Sequence, residues 1–372
     1  MRIWRWIGGC GDRNMKWTLL VLLYVNTYAL SFAQGALDSL RLTLPLGHTG
    51  YISEIKGNSG GDFLMTIGND DNVFIWDQRT AKLLQHLSNK KIRFAVFDEL
   101  DHHTLLTVND QGLQAYDIKT LSIKKEFHFE TDDFLDLYAD PKTNKYFLVT
   151  ERRIFVLSKD LERLDVIEWA DDIQQGRYNA LTNTLYLQNS KGIIVKNDRN
   201  NTNSVIVSDS LISSFDLSEN GKYILTYGKK TSLKLWNAQT SEQLVKPFKT
   251  ESRVHFAKFS ANYLLCSTYD NTLHVYDTEK RKSIQSVESD ALIIEAVVDS
   301  ERKVLITSDK KNRIRFYNLN DGRMITQIEE VKSSVYHVAV LPQSPFYFVT
   351  TSREIYAINK VSIRSVHSIK NA

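Results

Sequence analysis

Short apolar runs separated by polar turns fill the chain after residue 33, and one kind of run keeps returning. It is an apolar stretch that ends in an aromatic residue followed by Asp or Asn. Val73-Phe74-Ile75-Trp76-Asp77 is the first, followed by Leu113 to Asp117, Leu233 to Asn237, Leu273 to Asp277 and Ile314 to Asn318. Three weaker copies, Ile154 to Ser158, Ile193 to Asn197 and Ile355 to Asn359, keep the frame without the aromatic. The last residues fall at 77, 117, 158, 197, 237, 277, 318 and 359, so every interval is 39 to 41 residues. An internal period of this size is the mark of a repeat architecture.

Each period has the same grammar. In 211–244, Ile212 to Leu217 alternates as a half-buried strand does. Ser218-Glu219-Asn220-Gly221 reads as a tight turn, with Asn-Gly supplying positive φ angles. Tyr223 to Thr226 and Leu233 to Trp236 read as a second and a third strand, and Gln243 to Pro247 as an outer fourth. Four short strands per period, rich in β-branched and aromatic residues, describe one blade of a propeller. No stretch after residue 33 has a helical period. The fold class is therefore all-β, a single β-propeller of four-stranded blades over 34–372. Eight blades are expected, with seven as the alternative if one weak unit lies outside the ring. The unit ending near Leu157 is the weakest.

The chain resembles a WD40-repeat propeller. The first unit carries the pattern best, with Gly47-His48 before its first strand, Asp70 before its third, and Trp76-Asp77 at its end. The resemblance implies a hydrogen-bond chain of His48, Thr66, Asp70 and Trp76. Such a chain makes physical sense, because a buried indole N–H and both imidazole nitrogens need partners. The other units lack Gly-His, and most replace the Trp. The family also implies that one spare strand, Leu40 to Leu44 at the front or Val361 to Ile369 at the back, completes the last blade. That pairing would close the ring and remove an exposed edge.

Ahead of the repeats, Trp17 to Phe32 carries no charge, follows Lys16, and ends in Ser31-Phe32-Ala33 before Gln34. This reads as a secretory signal peptide over residues 1–33, cut after Ala33, with Met15 as an alternative start. A retained membrane anchor is the alternative, since the uncharged run is just long enough to span a bilayer. Cys10 lacks the preceding apolar run of a lipidation site. Cleavage leaves Cys266 as the single cysteine, in an apolar strand, which is expected to be a buried structural thiol. The net charge of +3 belongs to the leader. Four of the 47 basic residues (Arg2, Arg5, Arg13, Lys16) and one of the 44 acidic (Asp12) precede the cut, leaving 43 of each. No clustered basic surface points to nucleic acid.

No metal or cofactor site is expected. The nine histidines are scattered, and no HExxH, CxxC, phosphate-binding glycine loop or nucleophile elbow occurs. The residue pairs Asp70-Asp71, Asp132-Asp133 and Asp171-Asp172 lack the oxygen ligands and glycine of a calcium loop. The loops between second and third strands share one rim in this family. Asn69 to Asp71, Asn109 to Gln111 and Tyr269 to Asn271 are acidic. Glu151 to Arg153, Lys229-Lys230, Lys310 to Asn312 and the nearby Asn89 to Lys91 are basic. Separate acidic and basic sectors facing a protein partner are expected, with Tyr51, Arg93, Phe134, Arg253 and Tyr336 as anchors just inside the rim.

The resemblance implies a non-enzymatic protein-interaction scaffold of an exported bacterial type, periplasmic or secreted, folded as a monomeric ring free of the membrane after cleavage. One alternative is an exported propeller enzyme or small-ligand binder acting on a lactone or glycan through the central channel. The apolar starts of the first strands, mostly Ile, Leu, Val and Phe, count against it. A second alternative is a sensor relative of bacterial WD40 segments fused to caspase-like proteases.

Overall fold

The computed structural model describes residues 41–43 and 48–363, apart from 89–90, 131–132, 180, 192, 198–202, 209–211, 229–232, 245–251, 330, 332 and 353. The leader and its cut lie outside the described residues. So do Asp132, Lys90, Lys229-Lys230 and the back spare strand beyond 363.

Among the described residues the strands form eight sheets. Seven are complete four-stranded blades, and the sheet at 212–237 has three strands among the described residues. Numbered along the chain, the blades span 52–87, 94–127, 134–168, 173–208, 212–237, 254–288, 293–328 and 335–359. In blade 5 a fourth strand begins where Gln243 bridges Trp236 and the Leu244 amide donates to the Leu235 carbonyl at 2.8 Å. The weak unit near Leu157 forms a complete blade 3, in which Leu157 is fully buried.

Burial follows the sequence pattern. Second strands such as Val304–Asp309 are buried at every position, because neighbouring blades cover both faces. Outer strands such as Leu83–Leu87 are mostly open. The core is divided among eight apolar clusters, each between two adjacent blades. One joins Trp76, Phe74 and Leu64 of blade 1 to Phe348, Ile355 and Ala357 of blade 8, so the ring closes through side chains. Each fully buried large apolar side chain contributes about 1.5–3 kcal/mol. The backbone closes it as well. The front spare strand, Arg41–Thr43, pairs antiparallel with Ile355–Asn359 and becomes the outer strand of the blade built from the last three described strands.

The Asp or Asn that ends each repeat has a local reason. Asp77 Oδ1 accepts from the amides of Arg79 and Thr80, at 2.9 and 2.7 Å. Asp117, Asn237 and Asp277 repeat this turn. A residue with positive φ follows: Ala81, Leu121, Ser241 or Arg281. The short acceptor satisfies amides that the strand ladder leaves open. Blade 5's hairpin differs from expectation in detail: Gly221 alone takes a positive φ, and its amide bonds the Ser218 carbonyl at 2.7 Å.

Candidate functional site

The loops between second and third strands and the segments entering the first strands meet on one rim. The Asn69 amide bonds the Tyr51 carbonyl at 3.0 Å, Glu151 bonds Asp133 at 2.9 Å, Tyr269 bonds Arg253 at 2.9 Å and Lys310 bonds Leu292 at 3.0 Å. The first strands carry a register shift just inside this rim in seven blades, as between Val254/Phe256 and Val335/His337. A bulge leaves one residue unpaired and re-aims it. His255 and Tyr336 are two of those residues.

Three of the five expected anchors are open. Tyr51 and Tyr336 are 47% and 43% exposed, and their rings lie 5.8 Å apart across the closure of blades 8 and 1. Arg253 is exposed, with its guanidinium 5.6 Å from the ring centre of Tyr269, and His255 packs edge-on to the same ring at 5.3 Å. Tyr269 itself is 50% exposed. The other two anchors are engaged. Arg93 shares Asp110 with Lys91, at 3.0 and 3.1 Å. Phe134 packs against Phe94 and Phe129, with ring centres 5.1 and 6.3 Å away.

Separate acidic and basic sectors are not what the loops of blades 2 to 4 form. Besides the Asp110 pairs, Arg152 binds Asp172 at 3.0 Å, Arg153 binds Glu168 at 3.3 Å, and Lys191 binds Asp171 at 2.8 Å. Asp110 neutralises Lys91 of the expected sectors, and the other cations meet carboxylates of the segments that lie beside their loops. Lys191 in turn holds the Asp171 carboxyl below its usual range. Asp70 is not displayed either.

Asp70 ends the chain implied for the first unit, and all four expected residues meet. The Trp76 indole N–H donates to Thr66 Oγ1 at 3.1 Å. Thr66 lies 3.0 Å from His48 Nε2, and His48 Nδ1 lies 2.9 Å from Asp70 Oδ1. Indole is only a donor, so Thr66 Oγ1 accepts from it, and the Thr66–His48 and His48–Asp70 contacts give both imidazole nitrogens a partner. Burial pulls Asp70 upward. The bonds from His48 and from the Thr49 amide outweigh it and hold the carboxyl at about 2. The sequence model of the family described as "WD domain, G-beta repeat" matches residues 39–77, the segment that contains this relay.

The chain is a β-propeller whose first unit matches the WD40 repeat. Two relatives are similar over shorter stretches. Small ribosomal subunit protein RACK1z of Arabidopsis thaliana is 26% identical over 115 residues, 31% of this chain and 34% of that protein. Small ribosomal subunit protein RACK1 of Brassica napus is 28% identical over 87 residues, 23% of this chain and 26% of that protein. The matched stretches thus span about a third or less of these curated relatives. The crystal structure of the computationally designed protein Ika8 shares the fold, with a TM-score of 0.66 at 14% identity, covering 85% of this chain and 98% of that one.

Elsewhere in this ring the corner occupied by the relay holds other chemistry. Blade 5 keeps half of it, with Trp236 Nε1 donating to Thr226 at 2.9 Å. In blade 2, Gln114 accepts from Asn109 and from the Tyr116 hydroxyl, both at 2.8 Å. In blade 7, Arg315 reaches Ser289 at 2.6 Å and Asp309 at 3.0 Å, both through Nη1, and Asp290 at 3.1 Å through Nη2. Arg313 and Lys311 bind Asp290 too. Sequence reasoning missed this cluster. Its signal is a charged residue at the second position of the third strand, where blade 1 has Phe74.

The channel wall also departs from expectation. The first strands do begin apolar, but two and four residues further in they carry charge: Glu54 and Lys56, Asp136, Arg177, Asp216, Lys258 and Glu295. These charges are spent on one another. Lys56 lies 2.6 Å from Glu54 and over the Phe94 ring, Arg177 binds Asp216 of the next blade at 3.4 Å, and Lys258 binds Glu295 of the next. Asp136 accepts from the Tyr138 hydroxyl at 2.8 Å, and burial raises its carboxyl above the usual range. Among the described residues no group of three or more His, Cys, Asp or Glu is placed to hold a metal ion. Cys266 is buried, and burial pushes its thiol up to about 12. That position suits a packing role, since the thiolate is the reactive form.

Proposed function

We propose that the chain is a non-catalytic scaffold that holds a protein partner on the rim where Tyr51, Arg253 and Tyr336 are open. The observation that carries this reading is the contrast between the two inner surfaces. Six of the seven channel charges are paired, two of the three pairs running across neighbouring blades, whereas the rim offers exposed tyrosines and an arginine on a closed ring. Exposed aromatic and arginine side chains on rigid supports are the usual anchors of interfaces. Ring closure fixes those anchors in advance, which lowers the ordering cost of binding.

We further propose that the chain acts outside the cytoplasm as a monomeric ring, of an exported bacterial type. The uncharged run Trp17 to Phe32 after Lys16, and its Ser31-Phe32-Ala33 ending, support export. Tagged protein recovered from the periplasm or culture medium is expected to begin at Gln34 and to retain a specific partner on affinity capture. An intact leader on membrane-bound protein overturns the export reading. A properly folded ring that captures nothing specific from its own compartment overturns the scaffold reading, as does turnover in a lactone or glycan hydrolysis screen.

A further inference from the structure

The two halves of the rim differ in how their cations are used. On blades 2 to 4, Lys91, Arg93, Arg152, Arg153 and Lys191 all sit on carboxylates. On blades 6 and 7, Arg253 and Lys310 are exposed and make no ion pair among the described residues. Arg253 lies along Tyr269, which fixes its direction without neutralising it. Lys310 stands close enough to His255 for its charge, after burial, to hold that imidazole below its usual range. Blade 7 adds to the positive balance, with Lys311, Arg313 and Arg315 against Asp290 and Asp309. The arc continues into the Tyr336–Tyr51 pair across blades 8 and 1.

We infer that the arc from Arg253 and Lys310 to Tyr336 and Tyr51 binds an acidic peptide segment of a partner protein. The inference rests on the scaffold reading and names its chemistry. Cations already held by carboxylates have little to offer a new anion. Among the described residues, Arg253 and Lys310 are the rim positions where a partner's carboxylates gain charge-assisted hydrogen bonds without first breaking an ion pair. The tyrosine pair supplies apolar area with a polar tip for the residues beside those carboxylates. Complementary charge of this kind fixes register and speeds encounter, and weakens with salt.

The test is fluorescence anisotropy of labelled deca-glutamate and deca-lysine peptides with the purified full chain at low salt. Deca-glutamate is expected to bind and deca-lysine not. The double variant Arg253→Ala/Lys310→Ala is expected to weaken deca-glutamate binding about tenfold or more, the size of a lost charged contact. The double variant Arg152→Ala/Lys191→Ala on the paired arc is expected to leave it unchanged. Matching thermal unfolding midpoints establish that both variants fold. The inference is overturned by absence of deca-glutamate binding, by undiminished binding in the first variant, or by an equal loss in the second. A captured partner that still binds Arg253→Ala/Lys310→Ala ends this inference and leaves the scaffold reading standing. Deca-glutamate binding in a ring that captures no partner does the reverse.

Discussion

In blade 1 the corner between the entering segment, the second strand and the third is closed by a relay of Trp76, Thr66, His48 and Asp70. In blade 7 the same frame is filled differently. Ser289 stands four residues before the first strand, as His48 does, and Asp309 faces Ile293 as Gly68 faces Ile52. Arg315 then crosses the corner that Phe74 leaves apolar. The first device is sealed, with the Asp70 side chain only 7% exposed. The second opens to water at Asp290, whose side chain is 57% exposed. A buried hydrogen-bonded relay holds the corner and shows nothing outside. An ionic cluster holds the corner and presents the Lys311–Asp290 pair at the rim. Degeneration of the repeat is therefore one way that a symmetric ring acquires a face with a sidedness.

Substitutions that remove members from each device separate the two. The double variant Arg313→Ala/Arg315→Ala is expected to have the largest effect, a loss of about 3–5 kcal/mol, because Asp309 then stays buried without either of its counter-charges. Denaturant unfolding measures it, and a loss below that of an ordinary surface substitution breaks the ionic account of blade 7. Thr66→Val leaves both the Trp76 indole and His48 Nε2 without a partner, with an expected cost of about 1–3 kcal/mol. Thr226→Val in blade 5 removes only one such bond and should cost less, so equal losses would show that the relay does not act as a unit.

Acid unfolding sharpens the comparison further. The Asp70 carboxyl is lowered from 3.8 to about 2 in the folded ring. Its stabilisation is present above the unfolded value and is lost as pH falls from near 4 through about 2. Asp70→Asn is expected to lose this part of the acid sensitivity, seen as a flatter dependence of unfolding midpoint on pH below 4. A parallel curve in the variant would separate Asp70 from the acid response. The smallest effect belongs to the paired arc of the rim. Lys191→Ala breaks an exposed pair with Asp171 and is expected to leave the thermal unfolding midpoint nearly unchanged.

The period, the strand grammar and the four members of the blade 1 relay are legible in the sequence because each depends on local chemistry. Asp77 ends its repeat to cap a turn, and Trp76 needs an acceptor ten residues back on the paired strand. Legible too is the need for a spare strand, though only the ring shows that Arg41–Thr43 supplies it. What the sequence hides lies between blades. Neighbouring loops read as acidic and basic sectors until Arg152 is seen resting on Asp172. The charges of the channel wall lie two and four residues inside an apolar strand start, where a reading of first positions does not reach. Phe134 reads as an anchor and is held by Phe94 of the preceding blade. Tyr269 lies in a loop read only for its charge, and only the fold sets Arg253 against it.

The central claim is that recognition belongs to the rim arc and not to the channel. It is tested most directly by quantitative affinity capture from the native compartment with three forms of the chain: wild type, the rim variant Tyr51→Ala/Arg253→Ala/Tyr336→Ala, and the channel variant Lys56→Met. The account predicts a partner that the wild type and the channel variant retain equally and the folded rim variant loses. Retention by the rim variant together with loss from the channel variant would contradict it.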